Sequence, residues 1–315
     1  MNNHTEEGRP LEGNTGPLTS ATGPRFGVVT ALPKEFAAMK CMFDSSRRVP
    51  RIDDDDNVYV VGEIAALHGN RPHSVVLAMQ PDDGNNMAAV VATHLLRSFP
   101  SVEYVLMVGI AGGAPHPLRP DRHVRLGDLV VSGTHGVVQY DYVNLAAGTA
   151  RLRGTSPRPS STLLKVVNYL EAERLSGEFP WKKHILRAKK LPDTRRPPIS
   201  TDVVHHSSPT SRRRYTHPTE NDRKAKQPKL HYGRIGAANT LLKDATTRDL
   251  LRDSLDIRAF EMEGSGIADA AWNGNSGFLV VRGICDYCDV YKNDIWQAYA
   301  AVVAAAYARA LIEAF

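Results

Sequence analysis

Three carboxylates stand out by where they fall. Glu35, Glu263 and Asp286 each follow an apolar, β-branched run at the point where it gives way to a turn or a helix. A carboxyl group can give or take a proton at a reacting centre. In an open α/β sheet ligands collect at the carboxyl ends of strands, so these three could converge on one crevice. Each also has a plain structural role, because an acid in the first turn of a helix is stabilised by the helix dipole. A glycine-rich run, Gly109-Ile110-Ala111-Gly112-Gly113, follows another apolar stretch. Gly112 and Gly113 would let backbone N–H groups come close to an anionic or hydroxylated ligand. The spacing is neither the GxGxxG dinucleotide fingerprint nor the GxxxxGKS/T phosphate loop, so dehydrogenase and P-loop chemistry lose their main support.

A second group is basic. Of the 39 Lys/Arg, 14 lie between Lys182 and Lys229 against four acids, leaving 25 cations against 30 acids elsewhere. The net charge of +5 is therefore concentrated in one segment of a mildly acidic chain. Within it Arg212, Arg213, Arg214 and His217 read as a lid over a nucleotide's phosphates, since Arg presents paired planar donors. The same charges also fit a solvated loop or a nonspecific nucleic-acid patch, and nucleic acid is the least favoured of the three. His184, His205 and His206 lack the spacing of a metal site. Cys285 and Cys288 form a lone C-x-x-C without the other half of a zinc site. Three cysteines in 315 residues do not make a disulfide framework, which favours a reducing, cytoplasmic setting. No metal and no cofactor are expected.

The elements that must position these groups alternate. Strands are expected at Phe26–Leu32, Val58–Ile64, Ser74–Met79, Tyr104–Ile110, Asp128–Ser132, Val137–Tyr142, Leu230–Ala237, Ile257–Glu261 and Phe278–Ile284. Helices are expected after Pro33, over Asn86–Ser98, Thr162–Ala172 and Thr246–Leu255, up to Trp272, and over Ile295–Phe315. Such alternation argues α/β, with no repeat of 20 to 50 residues. Residues 1–24 read as a disordered leader without the order of a secretory signal, and 25–315 as the folded domain. Residues 178–229, where Pro and Arg accumulate and periodicity fades, read as an insertion or lid. The longest uncharged stretch near the C-terminus, Ile295–Ala308, has 14 residues, whereas a membrane span needs about 20. No membrane anchor is expected.

Five segments, FGVVTALPKEF (26–36), LMVGIAGG (106–113), RLGDLVVS (125–132), FEMEGSG (260–266) and VVRGICD (280–286), stand in the order found in the purine nucleoside phosphorylase and nucleosidase superfamily. The chain resembles that superfamily over about 260 residues. The resemblance implies a three-layer αβα sandwich with a mixed central sheet, here carrying a basic insertion. Within the nucleosidase branch, typified by methylthioadenosine/S-adenosylhomocysteine nucleosidase, it implies that Glu35 positions the attacking water. Met262 and Glu263 would contact the ribose, and Asp286 would protonate purine N7 from a carboxyl kept protonated by partial burial. N-glycosidic cleavage builds an oxocarbenium-like sugar and an anionic base, so one carboxyl must donate while another activates water. Asn239 and Leu241 fall near the base-binding strand end, with Leu241 standing where an aromatic residue stacks on adenine.

GVVQYDY (136–142), LHYGRIGAANTLLKD (230–244) and RGICDYCD with the helix that follows are similar to nucleosidase-like domains attached to fungal NOD-like receptors and bacterial defence systems. That branch includes enzymes acting on ATP. Two departures bear on the sugar's 5′ substituent: the acidic segment Met79–Asn86 and the basic insertion. The expected activity is hydrolysis of an adenine nucleotide, ATP-like, to free base and sugar. The alternatives are a methylthioadenosine-type substrate, phosphorolysis aided by Lys34, or a non-catalytic nucleotide sensor. A homo-oligomer binding a small purine nucleoside or nucleotide is implied.

Overall fold

The structure is a computed structural model that describes residues 23–69, 71–146, 149–154, 157–207, 213–219 and 227–315. All but the last two residues of the leader expected over 1–24 lie outside them, as does Arg212. Thirteen strands occur among the described residues: β1 (Phe26–Thr30), β2 (Ser45–Arg48), β3 (Tyr59–Ile64), β4 (His73–Met79), β5 (Tyr104–Gly113), β6 (Leu129–Gln139), β7 (Val143–Ala146), β8 (Thr149–Leu152), β9 (Val204–His205), β10 (Arg214–Tyr215), β11 (Leu230–Ala237), β12 (Ile257–Glu261) and β13 (Gly277–Asp286). The helices are α1 (Pro33–Lys40), α2 (Asn85–Ser98), α3 (Ser161–Leu175), α4 (Lys182–Ile185), α5 (Ala245–Leu255), α6 (Gly264–Asn273) and α7 (Gln297–Glu313).

Nine strands form one mixed sheet in the order β12-β11-β6-β13-β5-β1-β4-β3-β2. In the middle β4, β1, β5 and β13 run parallel to one another. They read as continuous apolar runs because helices cover both faces. α2 packs with α6 and α1 with α7, and both pairs pack on the central strands, which gives the three layers. α7 is buried over almost its whole length. Its alanines keep the helix surface shallow against β13 and β5, explaining an uncharged run too short for a membrane. No described helix is long and apolar enough to cross one.

Three differences from the sequence reading matter for the site. The strand expected to end at Ile110 does not stop there: β5 continues through Gly112 and Gly113, pairing Gly112 with Asp286 of β13 and antiparallel with Phe260 of β12. That second pairing curls one end of the sheet, so the ends of β5, β12 and β13 meet. The two strands expected at Asp128–Ser132 and Val137–Tyr142 are the single β6, paired to β11 across a register shift. The segment 178–229 is not merely an appendage. Trp181, Ala188 and Val204 are buried in the main core, so apolar anchors at intervals hold a segment whose periodicity is too weak to read.

Candidate active site

A cleft of about 230 Å³ opens where these strand ends meet, and Glu35, Gly112, Leu241, Met262, Glu263 and Asp286 all line it. Glu35 sits in the first turn of α1 and is buried. Its Oε2 accepts from the backbone N–H of Ala31 (2.8 Å) and Leu32 (2.9 Å), and its Oε1 from that of Ile110 (2.7 Å). The carboxylate thus closes its own helix turn and reaches across to β5. Burial pushes the Glu35 carboxyl above its ordinary value of 4.5, against the pull of Arg282 and of these backbone donors.

Arg282, fully buried on β13, is the hub that makes this arrangement affordable. Its NH2 donates to Glu261 Oε2 and, at 2.9 Å, to Glu263 Oε2, and its charge faces Glu35. Three buried carboxylates around one guanidinium would be costly if it were absent. Gly109 is what leaves room: a Cβ there would lie 2.4 Å from Glu35 Oε1 and 2.5 Å from Arg282 NH1. This glycine serves the ion cluster rather than a ligand phosphate. Glu261 closes the start of α6 by accepting from the N–H of Glu263 and Gly264. Burial, opposed by Arg282, raises its carboxyl. Glu263 Oε1 accepts from Gly84 N at 3.2 Å, turning toward the loop whose Asp83 also lines the cleft.

Asp286 ends β13. Its Oδ1 accepts from Cys288 N (2.9 Å), and its Oδ2 lies 2.8 Å from Lys292 Nζ and 3.1 Å from Cys285 Sγ. Cys288 adopts the left-handed region at φ 51° to bring its N–H there. At Gly112 a Cβ would stand 2.1 Å from Cys288 Sγ and 2.8 Å from Asp286 Oδ1, so this glycine makes space for the carboxylate. Burial works against the Lys292 ammonium, but Asp286 outweighs it and holds the group above its ordinary range. A partly buried carboxyl was expected; the structure adds an ammonium partner, Lys292, to Asp286. The two thiols pack on Asp286, and among the described residues no three His, Cys, Asp or Glu side chains are grouped to hold a metal.

Other expected residues are placed elsewhere. Asn239 does not line the cleft: its Oδ1 accepts from Asn85 N (2.9 Å) at the start of α2, and its own N–H donates to Asp141. Gly113 lies behind the lining, against Ile284 and Val124. Arg213, Arg214 and His217 also lie outside it. His217 Nε2 is 2.8 Å from the carbonyl of Asp202 and its Nδ1 2.9 Å from His123 Nε2. Asp202 in turn accepts from Tyr287 and pairs with Arg125, so His217 ties the insertion to the strand next to Asp286. Arg214 pairs in the β9–β10 hairpin with His205, whose ring stacks at 3.8 Å on Tyr291.

The sequence reading missed Tyr140, Phe260, Glu261, Arg282 and Lys292. Tyr140 and Phe260 line the cleft and pack edge to face at 5.7 Å, supplying the aromatic surface that Leu241 lacks. Four of the five lie inside or beside quoted motifs, yet no spacing rule says that Arg282 and Glu261, 21 residues apart, share a bond.

The profile of the Phosphorylase superfamily matches residues 25–314. The chain belongs to the phosphorylase superfamily. A "Nucleotide-binding leucine-rich repeat (NLR)-like protein" of Hyaloscypha variabilis is 32% identical over 91% of this chain and 29% of its own length. The "ATP nucleosidase Cap17" of Escherichia coli is 24% identical over 90% of this chain and 50% of its own length. The chain thus spans half or less of these two relatives. Among solved structures, a Helicobacter pylori enzyme named as MTAN, holding 5′-methylthioadenosine in its active site, superposes with a TM-score of 0.62 at 16% identity. That match covers 92% of this chain and 98% of the other, and shows the superfamily's fold.

Proposed function

We propose that this cleft hydrolyses the N-glycosidic bond of an adenine nucleotide or nucleoside, releasing free base and sugar. The observation that carries the reading is the convergence of Glu35, Glu263 and Asp286 on one cleft that also presents the rings of Tyr140 and Phe260. In this reading the purine lies against the two rings, with N7 toward Asp286. Glu263 accepts from ribose hydroxyls. Glu35, fixed by three backbone donors, orients water at C1′ and opposes the positive charge that develops on the sugar. Asp286 gives its proton to N7 as the base departs, and Lys292, 2.8 Å from Asp286 Oδ2, stabilises the carboxylate left behind.

Hydrolysis is favoured over phosphorolysis by the distribution of cations. Among the described residues that line the cleft, Lys292 is the only cation, and Asp286 engages it. Arg282 is engaged by two glutamates, and Lys34 donates to Gln297. A phosphate nucleophile would have to displace one of these pairings beside several carboxylates. The names of the Cap17 and MTAN relatives agree with a nucleosidase, with an ATP-like substrate first and methylthioadenosine or S-adenosylhomocysteine second. The test is to incubate the protein with ATP, AMP, adenosine, methylthioadenosine and S-adenosylhomocysteine, with and without phosphate, and to measure free adenine. Base release without added phosphate is expected. A strict phosphate requirement, with sugar 1-phosphate as product, would overturn the hydrolase reading.

A further inference from the structure

A second cavity, of about 630 Å³, lies in the first half of the insertion and is lined by Lys189, Arg195, Arg196, Asp193, Asp294 and Ile295 among others. It is set close to the cleft. Gln297 lines the cleft, and its Nε2 donates to Asp294 Oδ1 at 2.6 Å, while Asp294 faces the basic cavity. On the other side of Gln297 its Oε1 accepts from Lys34 Nζ, one residue before Glu35. One side-chain couple therefore stands between the two spaces, with cations on either side of it.

The guanidinium of Arg196 is fixed and incompletely bonded. Its Cζ lies 5.3 Å from the ring centre of Trp296 and 6.0 Å from that of Tyr299. Its NH1 is buried without a hydrogen-bond partner. A buried donor left unmatched is costly, and a guanidinium beside aromatic rings can turn its unmatched N–H group to an anionic acceptor. Asp193 and Asp294 weaken the field, but Asp294 is already bonded to Gln297 and the three cations outnumber them.

With the base at Tyr140 and Phe260 and the ribose hydroxyls at Glu263, Leu32 and Gln297 belong to the lining left for the 5′ substituent, and Gln297 joins it to Asp294 of the basic cavity. We infer that Lys189, Arg195 and Arg196 form a polyphosphate subsite that receives the 5′ phosphates of a nucleoside triphosphate past Gln297. This rests on the hydrolase reading and assigns its phosphate contacts to a different part of the insertion from Arg212–Arg214.

The experiment compares kcat/KM for ATP and adenosine in the full chain and in two double variants, Arg195→Gln/Arg196→Gln and Lys189→Gln/Arg195→Gln. The second alters only exposed side chains and guards against misfolding of the first. Binding of inorganic tripolyphosphate is measured calorimetrically in parallel. The ATP-to-adenosine ratio should fall about 10²-fold in the first pair, since each charge-assisted contact is worth about a factor of ten or more. It should fall about tenfold in the second, and tripolyphosphate binding should weaken in the same order. Equal loss for ATP and adenosine, or wild-type protein that cleaves adenosine but neither cleaves ATP nor binds tripolyphosphate, would overturn the subsite while leaving the hydrolase standing. Wild-type protein that releases no base from any substrate yet binds tripolyphosphate through these residues would sink the hydrolase and keep the anion site.

Discussion

The cleft and the basic insertion both concentrate charge, but in opposite physical circumstances. Around the cleft Arg282, Glu261 and Glu263 have side chains 1%, 1% and 6% exposed, and each is matched at hydrogen-bond distance by groups from other segments. In the insertion Lys189 and Arg195 lie on the surface. Charges out of water interact strongly and tolerate no missing partner, whereas surface pairs contribute about 0–1 kcal/mol and are screened by salt. Charge count therefore says little about function here. Among the described residues the strongly basic segment contributes no cation to the lining of the cleft, while a few carboxylates at strand ends define it.

The sharpest way to break this contrast is to remove the hub. Arg282→Met should destabilise the protein by about 3–5 kcal/mol, as expected for a buried ion cluster that loses its cation, and should abolish turnover. Denaturant unfolding measures the first; a loss below 1 kcal/mol would mean that the cluster tolerates solvent like the insertion's charges do. Next in size, Asp286→Asn should lower kcat for adenosine by roughly 10²-fold or more. It should have far less effect on a p-nitrophenyl riboside, whose leaving group needs no protonation. Near-wild-type turnover of adenosine in a folded variant would remove Asp286 from the mechanism.

A smaller effect concerns pH. Burial raises Glu35 and Glu261 above their ordinary 4.5 in the folded state. The folded protein then binds more protons than the unfolded chain between 4.5 and the raised values. Their contribution to stability is complete below pH 4.5 and declines as pH rises through that window. Glu35→Gln should flatten part of the decline in unfolding free energy measured against pH. For the same reason the acid limb of kcat/KM should lie above the ordinary carboxylate range, because Glu35 must be ionised to orient water. A limb at or below 4.5 would contradict this. The smallest change is expected in the insertion: Arg213→Gln/Arg214→Gln should alter kcat/KM for ATP less than about threefold, and less still at high salt. A loss of 10²-fold specific to ATP would restore the lid over the phosphates.

The sequence by itself determined the order of the main central strands and longer helices and that the three carboxylates stand at the ends of such runs. Strands buried on both faces are apolar without interruption, and an acid that follows such a run is conspicuous. β11 and β12 have the bounds read from the sequence because Gly, Asn and Asp mark their ends. Only the tertiary structure decided what those residues meet. Arg282 reads locally as a lone charge in a buried strand; its partners come from β12 and the turn after it, and pairing of that kind leaves no trace in spacing. Asn239 is legible as a polar residue at a strand end, but whether it faces a base or the start of α2 depends on how two distant loops approach. Trp181, Ala188 and Val204 anchor the insertion at irregular intervals, so no period announces them. Local chemistry is written along the chain, whereas the neutralisation of buried charge is settled between segments far apart in sequence, once folding has excluded water.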